Sequence, residues 1–306
     1  MQLGILYALF AYIIWGLLPL YIKSLHGVAP LEILLHRMVW SLVFLGAILL
    51  WRRHFGWLRD VVANPRLVLG FAASAGLLCC NWFLYIWAVS ADRVVDASLG
   101  YFINPLFSVL LGVLLLHERL RPAQWLSIAI AAAGVLWLTV TAGQLPWIAL
   151  GLAATFAGYG LLRKTGALGA LEGLSLETLL LFPLAAVTLG FLFVTGQDTT
   201  RAAAPGTQVL LMMAGPITAV PLLFFAAGAR RIPLSLLGLL QYAGPTIQLV
   251  LGIWLYHEPF PAQKQIGYAL IWVSLAIYAA EGLLVARLTQ RKPIDVKNDV
   301  SAEASQ

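Results

Sequence analysis

The stretch S-L-G-Y-F-I-N-P-L-F-S-V-L-L-G-V-L-L-L-H-E, residues 98–118, returns in altered form as G-L-L-Q-Y-A-G-P-T-I-Q-L-V-L-G-I-W-L-Y-H-E at residues 238–258. At a constant offset of 140 residues a proline, a glycine and a terminal His-Glu pair coincide, so that Pro105, Gly112, His117 and Glu118 match Pro245, Gly252, His257 and Glu258. Similarity at a fixed spacing indicates a duplicated structural unit. We therefore divide the chain into a first repeat (1–142), a second repeat (143–286) and a polar tail (287–306), which we expect to be disordered.

Composition places the chain in a membrane. Of its 306 residues, 61% are hydrophobic and 10% are charged, which is too little charge to cover a water-soluble globule of this length. The net charge is +6, but the basic residues lie between apolar runs and not on one face, so we expect no nucleic-acid partner. Cys79 and Cys80 are adjacent, a spacing that suits neither a disulfide framework nor a metal site. No metal and no cofactor are predicted.

Ten apolar stretches are long enough to cross the membrane, since a helix needs about 20 residues to span ~30 Å of hydrocarbon. They are Leu3–Ile22, Leu31–Trp51, Leu67–Ser90, Asp96–Leu116, Pro122–Thr141, Pro146–Leu162, Leu174–Gly196, Thr207–Ala229, Leu234–Tyr256 and Ala262–Ala286. The predicted fold class is therefore an all-α integral membrane protein with ten transmembrane helices.

Lysine and arginine in the short loops set the expected orientation, because cytoplasmic loops carry the excess of both. Fourteen of them lie on the side of the N-terminus and four on the opposite side, and Arg37 lies within the second span. Both termini are therefore predicted to be cytoplasmic.

The two copies of the proline-containing stretch are the fourth and ninth spans, so each repeat contains five crossings. An odd number of crossings inverts one repeat relative to the other. Inverted repeats place a substrate site near the bilayer midplane, between the halves, and give inward-open and outward-open states. The sequence therefore favours a transporter that works by alternating access.

Several motifs resemble the EamA family of ten-helix permeases in the drug/metabolite transporter superfamily, and within it the RarD permeases. They are E-I-L-L-H-R-M-V-W-S (Glu32–Ser41), G-Y-F-I-N-P-L (Gly100–Leu106), H-E-R (His117–Arg119), Q-Y (Gln241–Tyr242) and G-P-T (Gly244–Thr246). The resemblance covers the chain apart from the tail. It implies a multi-pass protein of the bacterial inner membrane that exports small amphiphilic metabolites, such as amino acids or drugs such as chloramphenicol. It leaves the individual substrate open.

Arg37 is the outstanding candidate for substrate binding. It lies six residues after Leu31, about 9 Å along a helix, where an unpaired guanidinium costs ~3 kcal/mol on insertion scales. Either it faces a cavity and binds a carboxylate, or it is structural and snorkels outward or pairs with Glu32 or a backbone carbonyl. His36, one residue earlier, is either a proton carrier or a polar group near the membrane interface.

Both proline-containing helices carry amide side chains beside the proline. Proline removes a backbone hydrogen bond and bends a helix, so Pro105 and Pro245 are predicted kinks that expose carbonyls to a polar cavity. The polar residues on the corresponding faces are Tyr101 and Asn104 in the fourth span, and Gln241, Tyr242 and Gln248 in the ninth. They are predicted to bind substrate, and the alternative is hydrogen bonding between helices.

Aromatic residues with a polar group suggest a wall for an amphiphilic substrate. Asn81 and Tyr85 are one helical turn apart in the third span, and Tyr12 and Trp15 lie in the first. We include all four among the candidate substrate contacts. The alternative is ordinary packing between helices.

Glu118 and Glu258 end the repeated stretches on opposite sides of the membrane. A carboxylate at a helix C-terminus opposes the helix dipole, so each needs another partner. We predict symmetry-related contacts that gate the two sides or hold the start of another helix. The pattern His117-Glu118-Arg119-Leu120-Arg121 lacks the second histidine of the H-E-x-x-H zinc site.

Acidic residues fall in loops, in the tail or near span ends, with Glu177 close to the predicted start of the seventh span. A carboxylate at the centre of a span is the usual mark of a proton relay. The sequence therefore favours facilitated diffusion or exchange, or coupling through His36.

The fifth and tenth spans carry few polar residues apart from Ser127 and Ser274, so they are predicted to form scaffold or homodimer contacts among membrane lipids. An intramembrane enzyme would need a nucleophile, an acid or a metal cluster at the midplane, and none is visible. A facilitative channel or a non-transporting scaffold is the alternative to a transporter of small molecules.

Overall fold

A computed structural model of the chain describes residues 1–25, 27–90, 94–143, 147–201, 203–255 and 262–290. Glu258 and positions 291–306 of the predicted tail lie outside these ranges. Within them the regular structure is entirely helical, with no β-strand. The prediction of an all-α protein is confirmed for the part of the chain that the structure describes.

Twelve α-helices follow one another in the described ranges. They are α1 (Gln2–Lys23), α2 (Pro30–Arg52), α3 (Trp57–Ala63), α4 (Pro65–Ser90), α5 (Val94–Leu116), α6 (Pro122–Ala142), α7 (Trp147–Thr165), α8 (Ala170–Thr195), α9 (Pro205–Ala229), α10 (Leu234–Leu240), α11 (Ala243–Val250) and α12 (Ala262–Gln290). A π-helical segment, Leu251–Leu255, continues α11.

Seven helices within the described ranges are long and apolar enough to cross a membrane. They are α1, α2, α4, α6, α8, α9 and the continuous stretch Leu234–Leu255. The fourth predicted span contributes a shorter apolar helix, Gly100–Leu116, and the sixth and tenth are helical without meeting the same criterion. A multi-pass membrane protein is thus established, and the full number of ten crossings stays a prediction.

Proline and glycine mark the helix boundaries. Proline is the first residue of α2, α4, α6 and α9, where its missing N–H is one that the helix could not have used. Gly143 and Gly196 follow α6 and α8 with φ of 76° and 70°, the left-handed conformation that ends helices and that glycine adopts without strain. These signals explain why most predicted boundaries lie within a few residues of the observed ones.

One additional helix and two helix boundaries differ from the prediction. A seven-residue helix, α3, occupies the loop after the second span. Helix α8 begins at Ala170, four residues before the predicted start, because residues 170–173, which precede the predicted span, are also helical. Helix α12 continues to Gln290, into the stretch predicted to be a disordered tail.

The ninth predicted span is broken, whereas the fourth is continuous. Helix α10 ends at Leu240 and α11 begins at Ala243, just before Pro245, whose ring nitrogen cannot donate to the preceding turn. Helix α5 runs through Pro105 without a break in its helical conformation. A Cβ on Gly238 would lie 2.8 Å from the carbonyl oxygen of Pro105, so glycine at this position lets α10 pack directly on α5.

The largest core cluster lies where α1, α7, α9 and α10 meet. Tyr12, Tyr159 and Phe225 are buried in it, and the rings of Tyr159 and Phe225 stack with centroids 5.9 Å apart. Leucines from α10 pack around these rings. The cluster joins the first helix of the chain to helices of the second half and so fixes the frame in which the candidate site lies.

Candidate functional site

A small cavity lies between α2, α4, α8 and α9. Its polar and aromatic lining consists of Ser41, Trp82, Glu177, Thr178 and Thr218, and methionine, leucine and alanine side chains complete it. The cavity volume is about 10 Å³, room for the centre of one water molecule. The described conformation is therefore closed around this point, and none of the predicted substrate-binding residues lines the cavity itself.

Arg37 reaches the edge of this cavity through two contacts. Its Nε donates a hydrogen bond of 2.8 Å to Oγ1 of Thr218 on α9, and its guanidinium carbon lies 4.9 Å from the ring centroid of Trp82 on α4. Both partners line the cavity. The two terminal nitrogens of Arg37 make no hydrogen bond to any described residue, and no described carboxylate lies within 4.0 Å of them. One edge of the guanidinium is thus fixed, and the other can bind an anion.

Two tyrosines extend the site beside Arg37. The rings of Tyr85 on α4 and Tyr101 on α5 meet edge to face with centroids 5.9 Å apart. Both lie close enough to Arg37 for its charge to act on them. Arg37, Tyr85, Tyr101 and Trp82 therefore form one group, which joins three predicted residues to one that the prediction left out of the site.

Glu32, the alternative partner for Arg37, is occupied elsewhere. It is 2% exposed and accepts hydrogen bonds of 2.9–3.2 Å from the backbone N–H groups of Thr199 and Thr200, and one from the hydroxyl of Thr199. It thereby fixes the loop between α8 and α9 to the start of α2. In the same loop Asp198 accepts bonds from the hydroxyl and N–H of Thr200, which hold the pKa of its carboxyl below the ordinary value. The structural reading in which Glu32 neutralises Arg37 is therefore excluded for this conformation.

A buried ion pair includes Glu177, which lines the cavity. The Nη1 atom of Arg163 on α7 is 3.6 Å from Oε1 of Glu177 on α8, and the two side chains are 1% and 0% exposed. Glu177 also accepts hydrogen bonds from the hydroxyl of Ser74 on α4 and, at 3.4 Å, from that of Tyr159 on α7. Helix α8 begins at Ala170, before the predicted start of the span at Leu174, and therefore places Glu177 about 10 Å along the helix.

Several predicted contact residues instead hold helices together. The hydroxyl of Tyr12 donates to the carbonyl of Leu237 at 3.0 Å, and that of Tyr242 donates to the carbonyl of Phe102 at 3.1 Å. The side-chain amide of Gln248 donates to the carbonyl of Trp15 at 3.1 Å. Each bond joins a helix of the first half to a helix of the second.

Asn81 and Trp15 also make interhelical contacts. The amide of Asn81 donates to the carbonyl of Leu152 and the hydroxyl of Thr155, at 2.9 and 3.0 Å, and so joins α4 to α7. The indole ring of Trp15 packs edge to face on Phe156 with centroids 5.6 Å apart. In this conformation both residues contribute to packing.

Three further predicted residues are polar groups within the helix bundle. Asn104 is 3% exposed, and its Oδ1 has no hydrogen-bond partner among the described residues. The same holds for Nδ1 of His36, on a half-buried side chain. Gln241 is 6% exposed and caps the C-terminus of α10 at the break before Pro245. An unpaired buried polar atom is costly, so Asn104 and His36 are places where a ligand or a change of conformation would supply a partner.

Glu118 holds the start of another helix. Its Oε1 accepts from the N–H of Leu234 at 2.6 Å, and its Oε2 accepts from the N–H and hydroxyl of Ser235 at 3.0 and 2.7 Å. These N–H groups belong to the first turn of α10, which has no partner for them within the helix. A carboxylate there also complements the positive end of the helix dipole.

The comparisons with known proteins identify the family. Residues 2–140 match the EamA-like transporter family. The chain is 45% identical to Protein RarD of Streptomyces exfoliatus, over 94% of this chain and 92% of that protein. The chain belongs to the EamA-like transporter family. It is also 46% identical to an uncharacterized transporter of Pseudomonas aeruginosa, over 90% of this chain and 93% of that protein.

A solved structure supports the fold. A protein whose crystal structure is known superimposes with a TM-score of 0.69, covering 90% of this chain and 96% of its own, at 21% sequence identity. At that identity the likeness concerns the fold alone. The family member described here is thus a RarD-like membrane permease with an EamA-type fold.

Proposed function

We propose that this family member is a secondary transporter that moves small amphiphilic metabolites with a carboxylate, such as amino acids, across the bacterial inner membrane by alternating access. One observation carries the proposal: Arg37 is fixed at its Nε by Thr218 and has two terminal nitrogens without a protein partner among the described residues. A guanidinium inside a membrane helix is expensive, and one held with its fork unpaired is suited to a carboxylate. The rings of Tyr85, Tyr101 and Trp82 provide an apolar wall for the rest of the solute.

The pairing of helices supports two inverted repeats of five spans. Helix α5 packs on α7, and under the proposed symmetry this pair corresponds to α10 and α11 on α1. Likewise α4 on α7 corresponds to α1 on α9, and α4 on α8 corresponds to α2 on α9. Alternating access then exchanges the conformations of the halves around the Arg37 site. Residues 1–142 and 143–286 form these repeats.

Orientation and surroundings complete the proposal. The excess of lysine and arginine in the loops on the side of the N-terminus makes that side, and both chain ends, cytoplasmic. Large apolar side chains such as Leu114, Val187 and Val194 are 60, 73 and 84% exposed, as expected of surfaces that contact lipid. Helices α6 and α12 pack on each other within one chain, and their outer faces, with Leu136 and Val273, form the proposed homodimer contact.

The remaining candidates act when the cavity opens. In the closed conformation Asn81, Gln241 and Tyr242 take part in helix packing, and we propose that their polar groups become available to the solute in an open state. Glu118 is the proposed gate residue on the cytoplasmic side, since releasing Leu234 and Ser235 would free the start of α10. Glu258 is its proposed counterpart on the outer side.

The test is solute flux in liposomes that contain the purified protein. A panel of labelled amino acids, other organic anions, amines and chloramphenicol is measured for uptake, for saturation and for stimulation by the same solute on the opposite side. Stimulation by solute on the opposite side, together with saturation, is expected of a transporter, whereas a channel shows no such stimulation. Flux of every panel member equal to that of protein-free liposomes would refute the proposal and leave a scaffold as the alternative.

A further inference from the structure

Glu177 is the one carboxylate among the described residues that lines the cavity beside Arg37. It is 0% exposed and lines the same cavity as Thr218, the residue that holds Arg37. An ionisable residue at this depth in a membrane helix is costly and marks an ion or proton pathway more often than a scaffold. The substrate site proposed above does not assign a role to Glu177.

The contacts of Glu177 allow it to exist in two protonation states. Its two hydrogen bonds come from hydroxyl groups, Ser74 and Tyr159, and a hydroxyl can accept a hydrogen bond as well as donate one. The nearest guanidinium nitrogen of Arg163 is 3.6 Å away, too far for a hydrogen bond, and neither this Nη1 nor the Nε of Arg163 has a hydrogen-bond partner among the described residues. The ion pair is therefore attractive without being locked by hydrogen bonds.

Arg163 has a second anchor that does not depend on the carboxylate. Its Nη2 donates to the carbonyl of Ala170 at 3.0 Å, at the start of α8, and its guanidinium carbon lies 5.6 Å from the ring centroid of Phe71. The guanidinium fits against α8 because position 173 is glycine, where a Cβ would overlap it. Arg163 thus remains in place when Glu177 is neutral.

Arg163 and Tyr159 on α7 are the titratable groups that face Glu177. From α4 the facing residues are Ser74 and Leu78, and from α2 they are Met38 and Ser41, none of which titrates. Helix α9 presents Thr218, Ala219 and Leu222. Arg37, on α2, is the further charge at the edge of the cavity, beyond Thr218. Glu177 is thus the carboxylate of this cavity, with Arg163 beside it and Arg37 at the cavity edge.

We propose that Glu177 is the proton-binding residue that couples transport to the proton gradient. This inference rests on the transporter function proposed above. In the state open to the outside the carboxylate takes up one proton, becomes a neutral acid and loses its attraction to Arg163. After the change of state it releases that proton to the cytoplasm and the ion pair with Arg163 forms again. One proton enters for each solute that leaves.

The experiment uses the full protein in liposomes loaded with labelled L-phenylalanine or chloramphenicol under an imposed pH gradient. The unmodified protein should drive the probe against its concentration gradient, up to about tenfold for one pH unit. Glu177→Gln, which resembles the protonated acid, should exchange the probe between equal pools, independently of pH, and drive no uphill movement. Glu172→Gln is the matched control, because Glu172 lies on the same helix and contacts His54 near the surface, and it should behave as the unmodified protein.

Three results would overturn the inference. If the unmodified protein exchanges a probe but a pH gradient drives no uphill movement, or if Glu177→Gln is driven uphill as well, Glu177 is a structural residue and the transporter function stands. If neither probe nor any other panel solute is exchanged by the unmodified protein, the transporter function fails and this inference fails with it.

Two further variants test the inference if Glu177→Gln does not fold. Ser74→Ala and Tyr159→Phe each remove a hydrogen bond that favours the ionised carboxylate, so the midpoint of the pH dependence of transport should move to higher pH. The expected shift is about one pH unit for Ser74→Ala and less for Tyr159→Phe, whose bond is longer. An unchanged midpoint in both variants would overturn the inference.

Discussion

Replacing Glu118 by alanine tests the contact between the end of α5 and the start of α10. The substitution removes three hydrogen bonds to one carboxylate, from the N–H of Leu234 and from the N–H and hydroxyl of Ser235. At about 1 kcal/mol for each, which is below the range for a charged acceptor because this carboxylate is partly exposed, the loss is ~3 kcal/mol. At about 2 °C per kcal/mol for a chain of this size, the melting temperature should fall by ~6 °C.

The assay is the fraction of monodisperse protein that remains after heating in detergent, measured by size-exclusion chromatography. Glu172→Ala serves as the control, because Glu172 makes a single ion pair with the exposed His54, and such surface pairs contribute about 0–1 kcal/mol. Glu118→Gln should fall between the two, since its amide keeps one acceptor oxygen and presents N–H groups to the other donor. A melting temperature for Glu118→Ala that matches the control would refute the view that this carboxylate stabilises α10.

Two further substitutions probe helix packing and pH dependence. Gly215→Ala would place a Cβ against the backbone carbonyl of Trp40, so α2 and α9 must separate, at a cost of about 1–3 kcal/mol in the free energy of unfolding. Gly190→Ala, at an open position on α8, is the control and should not destabilise the protein. Equal stability of the two variants in thermal unfolding would contradict the packing. Thr200 holds the pKa of Asp198 below its ordinary value, so this pair stabilises the fold above about pH 4 and the contribution is lost as the pH falls further. Asp198→Asn should therefore lose less stability than the unmodified protein between pH 5 and pH 3, measured as melting temperature against pH, and coincident curves would contradict the assignment.

The helices were largely predictable because backbone N–H and C=O groups in lipid must form their hydrogen bonds within each segment. An apolar run of about 20 residues has no alternative to a helix there, and Pro30, Pro122 and Gly143 mark ends that local chemistry decides. A charged side chain within a membrane helix is costly, so the sequence alone indicated Arg37 as a candidate functional residue. The confirmed family follows from motifs that are spread over the chain.

The partners of polar groups could not be predicted, because they are settled by tertiary packing. Glu177 lies about two turns from the start of a largely apolar helix, and nothing in that pattern indicates that it faces Arg163 inside the bundle. The need of Glu118 for a partner could be argued from the helix dipole, but the identity of that partner, the start of α10, could not. For Tyr12 and Tyr242 the sequence left substrate contact and helix packing open, and in this conformation both bond to carbonyls of neighbouring helices, which side-chain type alone does not decide.

The most direct test of the central claim compares one solute with and without its carboxylate. Flux stimulated by solute on the opposite side is measured in liposomes for the best-transported carboxylate of the panel and for its primary amide. Three proteins are compared: the unmodified protein, Arg37→Gln and Arg59→Gln. The last is the control, because Arg59 is an exposed residue of α3. We expect the unmodified protein and the control to prefer the carboxylate, and Arg37→Gln to lose its flux by at least about tenfold while flux of the amide changes little. Equal loss of both solutes, or unchanged flux of the carboxylate in a folded Arg37→Gln protein, would contradict the claim that Arg37 binds the solute.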